Sequence, residues 1–287
     1  MRTIIPSRSG KENKADDQSY SPMYSRAALT LKYLQYCLSA SHARGHGVHS
    51  PFVFDFITKI LNDKKHYPEY QVVETIRKQW ANDQTLLAVT DFGAGSSVSN
   101  ADRRSIASIA RSAVKPRKFG QLLFRMCRYY QPATILELGT SLGLTSSYLG
   151  LGHPGARLVT MEGAPGVADV AGQTIKACGV SGYSIVRGNF DVTLAETIEQ
   201  LPGIDFAFID GNHRCEPTLR YFQQLLEKTN NDSILVFDDI HWSRDMETAW
   251  ETIKNHPAVR CSMDLFFIGI VFFRKEFREK QHFRIRF

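Results

Sequence analysis

Between Thr134 and Asp238 short apolar runs alternate with helical segments, and that alternation admits few folds. Thr134–Leu138, Arg157–Glu162, Tyr183–Arg187, Asp205–Asp210 and Ser233–Asp238 read as strands, each almost unbroken in apolar character. Thr145–Leu151, Val167–Cys178, Val192–Gln200, Glu216–Lys228 and Arg244–His256 read as the helices that follow them. Strands and helices in strict alternation pair as parallel βαβ units, and unbroken apolar strands are covered on both faces. The expected class is therefore α/β, a mostly parallel sheet with helices on both faces. Met263 to Arg274, with Gly269 at its centre, fits either one bent strand or a closing hairpin.

The first half has a different character. Residues 1–22 mix Ser, Lys, Asp and Gly with few large apolar groups and are expected to lack fixed structure. A helix is expected from Ala27 to Leu38, and a second after Ser50-Pro51, where Ser caps and Pro suits the first helical position. Leu86 to Asp91 reads as a strand, followed by a polar, Ser- and Arg-rich helical stretch to about Val114 and a helix from Gly120 to Tyr130. The chain thus divides into a tail (1–22), a mainly helical N-terminal segment (23–117) and an α/β domain (118–287).

Composition excludes several classes. A hydrophobic fraction of 43% and a charged fraction of 22% are those of an ordinary globular protein. No run reaches the roughly 18 apolar residues of a membrane helix, and Met1 to Asp17 has no apolar core of a secretory signal, so a cytoplasmic protein without membrane contact is expected. Cys37, Cys127, Cys178, Cys215 and Cys261 are scattered without CxxC spacing, against a disulfide framework or a thiolate zinc site. The net charge of +6 owes much to Arg274, Lys275, Arg278, Lys280, Arg284 and Arg286, read as a solvated end, and a nucleic-acid partner is not expected.

Chemistry concentrates at strand ends. The first strand ends in Glu137-Leu-Gly139-Thr-Ser-Leu-Gly143 and leads into a helix, so flexible backbone lies where a ligand would meet a helix N-terminus. Dinucleotide binding is the rival reading, but the spacing is Gly-x-x-x-Gly and lacks the GxGxxG pattern. The second strand ends at Glu162, followed by Gly163, where an acid can accept from two ribose hydroxyls. The third leads to Asn189-Phe190, a polar and an aromatic group suited to an adenine ring, and the fourth to Asp210-Gly211.

This constellation resembles the class I S-adenosylmethionine-dependent methyltransferases, and within them the small-molecule O-methyltransferases of the catechol and caffeoyl-CoA type. The resemblance runs from about Lys118 to Arg274 and is carried by Gly120-Gln-Leu-Leu123, Leu136-Glu-Leu-Gly-Thr140, Phe208-Ile-Asp-Gly-Asn-His213 and Asp238-Asp-Ile-His-Trp242. It implies a Rossmann-like methyltransferase sheet and S-adenosylmethionine as cofactor. Glu137, Gly139 and Gly143 would border its methionine half, Glu162 the ribose, and Asn189 with Phe190 the adenine, and Thr140, Ser141, Gly163 and Asp210 would complete the cofactor contacts. By the same resemblance Asp210, Asp238 and Asp239 would match the ligands of a divalent ion, Mg2+ or Ca2+, whose hard character suits oxygen donors. Two residues depart from the family pattern: Asp239 stands for its Asn, and His213 for the Lys that acts as general base. His213, with Asp210, is then the candidate for that role.

Asp91-Phe-Gly-Ala-Gly95-Ser-Ser also looks like a cofactor loop, but no second apolar strand ending in an acid follows it, and it reads as a turn or flap. Gly45-His-Gly-Val-His-Ser-Pro-Phe52 reads as a connection between helices, with a metal or substrate role for its two histidines as the alternative. No Asn-Pro-Pro-Tyr-like tetrapeptide or Pro-Cys pair is present, which leaves oxygen as acceptor by elimination. The functional expectation is O-methylation of a small molecule. The alternatives are a non-catalytic S-adenosylmethionine-binding or interaction module and, further off, a nicotinamide-dependent oxidoreductase. Sequence leaves the oligomeric state open, a homodimer included.

Overall fold

The computed structural model describes residues 23–40, 50–89, 103–112 and 114–287. The N-terminal segment contains α1 (Arg26–Ser39), α2 (Pro51–Asp55, continuing as a π-helical turn Phe56–Leu61), α3 (Pro68–Trp80), β1 (Leu86–Ala88), β2 (Arg103–Ser105) and α4 (Ile106–Ser112). Ser50 caps α2 as expected, its hydroxyl accepting from the Val53 N–H at 3.4 Å, with Pro51 in the first turn. The widened turn is supported by Arg125, a buried guanidinium whose Nε donates to the Ile60 carbonyl at 2.6 Å. Where a helix was expected beyond residue 102, Arg103–Ser105 instead pairs antiparallel with β1, and only Ile106–Ser112 is helical. The Asp91–Ser97 loop, Gly45–His49 and the polar tail 1–22 lie outside the described residues.

The rest alternates as α5 (Arg117–Tyr130), β3 (Thr134–Leu138), α6 (Leu144–Gly152), β4 (Arg157–Glu162), α7 (Pro165–Ala177), β5 (Tyr183–Arg187), α8 (Phe190–Glu199), β6 (Ile204–Ile209), α9 (Cys215–Leu226), β7 (Thr229–Asp238) and α10 (Arg244–Asn255). β8 (Cys261–Asp264) and β9 (Ile268–Phe272) form the closing hairpin, and β10 (Gln281–Arg284) follows. These strands make an eight-stranded sheet in the order β10-β8-β9-β7-β6-β3-β4-β5, in which β9 alone runs antiparallel to its neighbours.

Strand periodicity explains the layers. Ile135, Phe206, Phe208, Ile234, Val236 and Ile270 point to one face, where they pack with Leu122, Phe124 and Tyr148 and with Val53, Phe56 and Ile60 of the N-terminal segment. Leu136, Leu138, Ala207, Ile209, Leu235 and Phe237 point to the other, against Leu194, Phe222 and Trp250. Burying each large side chain contributes roughly 1.5–3 kcal/mol, so both faces are energetically committed. Two strands depart from the expectation. β5 lies at an edge, with Tyr183, Ile185 and Val186 half-buried and Ser184 and Arg187 exposed, because no strand among the described residues pairs with its outer side. At the other edge Gln281–Arg284, read as part of a solvated basic end, joins β8 as a parallel strand with alternating exposure. Among the described residues no helix is long and apolar enough to cross a membrane.

Candidate active site

The strand order reverses at β3: β4 and β5 lie on one side, β6 and β7 on the other. In open α/β sheets ligands bind outside the carboxyl ends of the strands at such a reversal, which directs attention to the ends of β3 and β6. Two backbone features shape this region. Gly139 has φ +102, and a Cβ there would collide with the Asp210 carbonyl oxygen, so only glycine lets the two strand ends approach so closely. Ser141, Asn212, His213 and Asp239 also have positive φ, between 47° and 68°, all in turns just beyond β3, β6 and β7. Left-handed non-glycine residues gathered at one sheet edge mark a place where conformation serves something other than stability.

The first strand end is held from below and from the side. Glu137 is fully buried on a largely apolar face, beside Thr160 of β4; its Oε2 accepts from the hydroxyls of Thr160 (2.6 Å) and Ser146, while Oε1 has no partner. Burial pushes its carboxyl up to about 8, the two hydroxyls opposing and the charges of Asp210 and Glu162 adding to it. Glu162, at the end of β4, accepts from the Ser141 N–H at 2.8 Å and the Ala164 N–H at 2.9 Å. Burial raises its pKa against these backbone donors, which include Gly163. Each carboxylate oxygen keeps a lone pair for a further donor. Thr140 joins the same end through its hydroxyl, 2.6 Å from that of Thr160, and Gly143 (φ +76) starts α6.

On the far side, Asn189 caps α8, its Oδ1 accepting from the Asp191 N–H at 3.0 Å. Phe190 lies against Gly211, where an added Cβ would sit 2.6 Å from the ring, so the aromatic edge rests on backbone just past β6.

The most charged part lies beyond β6 and β7. Asp210 Oδ1 is 3.4 Å from His213 Nε2. Asp238, at the end of β7, is 1% exposed; one oxygen contacts the Lys115 ammonium, Oδ1 is buried and meets no N–H or hydroxyl donor, and the carboxyl is hydrogen-bonded to that of Asp210. Lys115 Nζ is also 3.7 Å from Asp239 Oδ1, and its side chain is 10% exposed. Burial disfavours the ammonium, but Asp238, Asp210 and Asp239 outweigh it and hold Lys115 charged. Asp238 is raised well above the carboxylate range by its burial and by Asp210 and Asp239, with Lys115 opposing. Burial would also raise Asp210, but Lys115 and His213 pull it below that range. His213, which burial would lower, is raised by its hydrogen bond to Asp210 and by the charge of Asp239 and Asp210.

The donor atoms of Asp210, His213 and Asp238 lie within 4.8 Å of one another. Asp239, the third carboxylate expected in a metal set, stands outside this group and turns to Lys115 instead. A divalent ion bound to Asp238 at about 2.0–2.6 Å would sit beside an ammonium already touching that carboxylate. Repulsion between unit charges roughly 4 Å apart is about 4 kcal/mol at an effective dielectric of 20, and double for a divalent ion. The residues present therefore do not fit a resident divalent metal while Lys115 is in place.

Sequence reasoning missed Lys115, because one lysine ahead of Pro116 carries no pattern, and only the fold brings it across to β7. It also passed over His241, whose ring bridges Glu247 Oε1 and Asp264 Oδ2 at 3.0 Å each.

Comparison with known proteins agrees with this geometry. Residues 136–240 match the family model described as a methyltransferase domain. No functionally curated protein matches the chain by sequence. Among solved structures, a Podospora anserina methyltransferase bound to S-adenosylhomocysteine aligns over 78% of this chain and 97% of its own, with 16% identity and a TM-score of 0.54. An O-methyltransferase from Bacillus cereus, also in complex with S-adenosylhomocysteine, aligns over 77% and 97%, with 20% identity and a TM-score of 0.50. The shared sheet gives the chain the Rossmann-like fold of these methyltransferases, and residues 136–240 resemble a methyltransferase domain.

Proposed function

We propose that the protein is an S-adenosylmethionine-dependent methyltransferase that methylates an oxygen of a small molecule. The observation that carries this reading is one of placement: Glu162, the Gly139–Gly143 turn, Phe190 and Asp210 stand at or just past the carboxyl ends of four successive strands, on both sides of the reversal at β3.

In this reading the Glu162 carboxylate, fixed by the Ser141 and Ala164 amides, accepts from the two ribose hydroxyls. The Gly139–Gly143 backbone lies along the methionine half, and Phe190 lies beside the adenine. The acceptor hydroxyl attacks the sulfonium methyl carbon; the C–O bond forms as the C–S bond breaks, and S-adenosylhomocysteine leaves with the electron pair. The hydroxyl proton passes to His213 Nδ1, while Nε2, 3.4 Å from Asp210 Oδ1, keeps its own proton toward that carboxylate, which stabilises the charged ring. Because Asp210 and Asp239 raise His213, its base form lies on the alkaline side of the ordinary 6.5. Positioning the acceptor against the methyl group supplies the remainder of the rate.

A ligand that binds only the folded state raises the melting temperature. S-adenosylhomocysteine is expected to stabilise the protein and NAD is not, in a thermal melt. Stabilisation by NAD alone would replace this reading with the oxidoreductase one.

A further inference from the structure

We propose that Lys115 is the resident cation of this site. Its ammonium takes the place of a divalent metal among the carboxylates, methyl transfer proceeds without a metal, and removal of the lysine uncovers a divalent-cation site. The clause on methyl transfer rests on the function proposed above; the cation exchange does not.

Lys115 comes from the loop between α4 and α5, a segment that belongs to none of the strand ends of the site. It is followed by Pro116, which leads into α5, and its side chain is directed inward until only 10% remains exposed. A strongly hydrated ammonium gives up its water only where anions replace it, and here Asp238 and Asp239 do so. Three carboxylates with no cation among them would repel one another, so something positive has to stand there.

A second observation shows that the cluster has capacity to spare. Asp238 Oδ1 is buried and meets no N–H or hydroxyl donor, its carboxyl is hydrogen-bonded to that of Asp210, and the donor atoms of Asp210 and His213 lie within 4.8 Å of the Asp238 ligand atom. An ammonium has three donor hydrogens, fewer than the six ligand positions of an octahedral ion. Without the ammonium, the same carboxylates and one imidazole form an oxygen-rich, anionic set of the kind Mn2+ accepts. Lys115 is thus a positioning residue: it fixes Asp238 and Asp239 and sets the charge of the pocket, and it does so by excluding a metal.

The experiment is titration of Mn2+ into the full-length protein without cofactor, followed by loss of the free Mn2+ electron paramagnetic resonance signal. Wild type is expected to leave the signal unchanged up to millimolar Mn2+, and so is Lys115→Arg, which keeps a cation in place. Lys115→Ala and Lys115→Gln are expected to bind Mn2+ at least about tenfold more tightly than wild type, and Asp238→Asn added to either should abolish the binding. Wild type that binds Mn2+ through Asp238 overturns the proposal, whatever the variants do. Folded Lys115→Ala and Lys115→Gln proteins that bind no Mn2+ overturn it as well. S-adenosylhomocysteine binding, measured on the same samples, reports separately on the proposed function. If that binding fails while the Mn2+ result holds, the function is wrong and the resident cation stands.

Discussion

Gly139 is where one atom decides how closely the ends of β3 and β6 approach. Its φ of +102 is unfavourable for any side chain, and the space a Cβ would fill is held by the backbone carbonyl of Asp210, which cannot rotate away. Gly139→Ala combines backbone strain with overpacking against a strand end, together about 2–4 kcal/mol, which lowers Tm by roughly 4–16 °C in a chain of this size. Gly179 separates the two effects: its φ is +77, but nothing lies within 4 Å of an added Cβ. Gly179→Ala is expected to show the strain alone in the same melts, about 1–2 kcal/mol. Equal losses in the two variants would mean that the approach of Gly139 to Asp210 is not tight. Glu137 illustrates the opposite use of a residue. It places an acid on a largely apolar face of the sheet and tolerates it through two hydroxyls, a costly choice that a purely structural strand has no reason to make.

At the scale of elements, α1 is fastened to the sheet by a polar network at its far edge. Tyr36 shares its hydroxyl proton between the Asp264 and Ile285 carbonyls at 2.8 and 2.6 Å, so one side chain ties α1 both to β8 and to the residue after β10. Lys32 and Tyr24 meet Glu247 of α10, and His241 bridges Glu247 to Asp264 while stacking on Phe266. Burial opposes charge on His241, but Asp264 and Glu247 prevail and raise it above 6.5. A group raised on folding contributes its stabilisation fully below its unfolded value and loses it as pH rises through the folded value. The contribution of His241 is therefore present at pH 6.5 and below and fades on the alkaline side. His241→Gln should remove on the order of 1 kcal/mol at mildly acidic pH and much less in alkali. Melting temperatures from about pH 6 to about pH 9 test this, the gap between wild type and variant narrowing as pH rises. A gap independent of pH would mean that His241 acts by packing alone.

Across the whole molecule, what the sequence made legible follows from where burial leaves a pattern. β3, β4 and β5 have the bounds read from the chain, because apolar runs between helices leave little choice of register. β2 and β10 were not legible: both are short edge strands rich in charged residues, and a strand exposed on one side carries no apolar signature. Within the site, Glu137, Gly139, Glu162 and Asp210 were identifiable because each stands at or just past the end of a readable strand. Lys115 was not, nor, outside the site, was His241, since their positions depend on how loops and α1 fold back over the sheet, and that is a property of tertiary packing. The continuous core that joins Val53, Phe56 and Ile60 to Phe206 and Phe208 has the same origin: the N-terminal segment covers a face of the sheet.

The central claim is that the Glu162 carboxylate receives the ribose of the cofactor. Calorimetric titration of S-adenosylhomocysteine into wild type and Glu162→Ala tests it most directly, with a melting curve to show that the variant is folded. Leaving two ribose hydroxyls without their acceptor should cost about 1–3 kcal/mol, a loss of affinity of roughly 5- to 150-fold. A folded Glu162→Ala protein that binds S-adenosylhomocysteine as tightly as wild type would contradict the account.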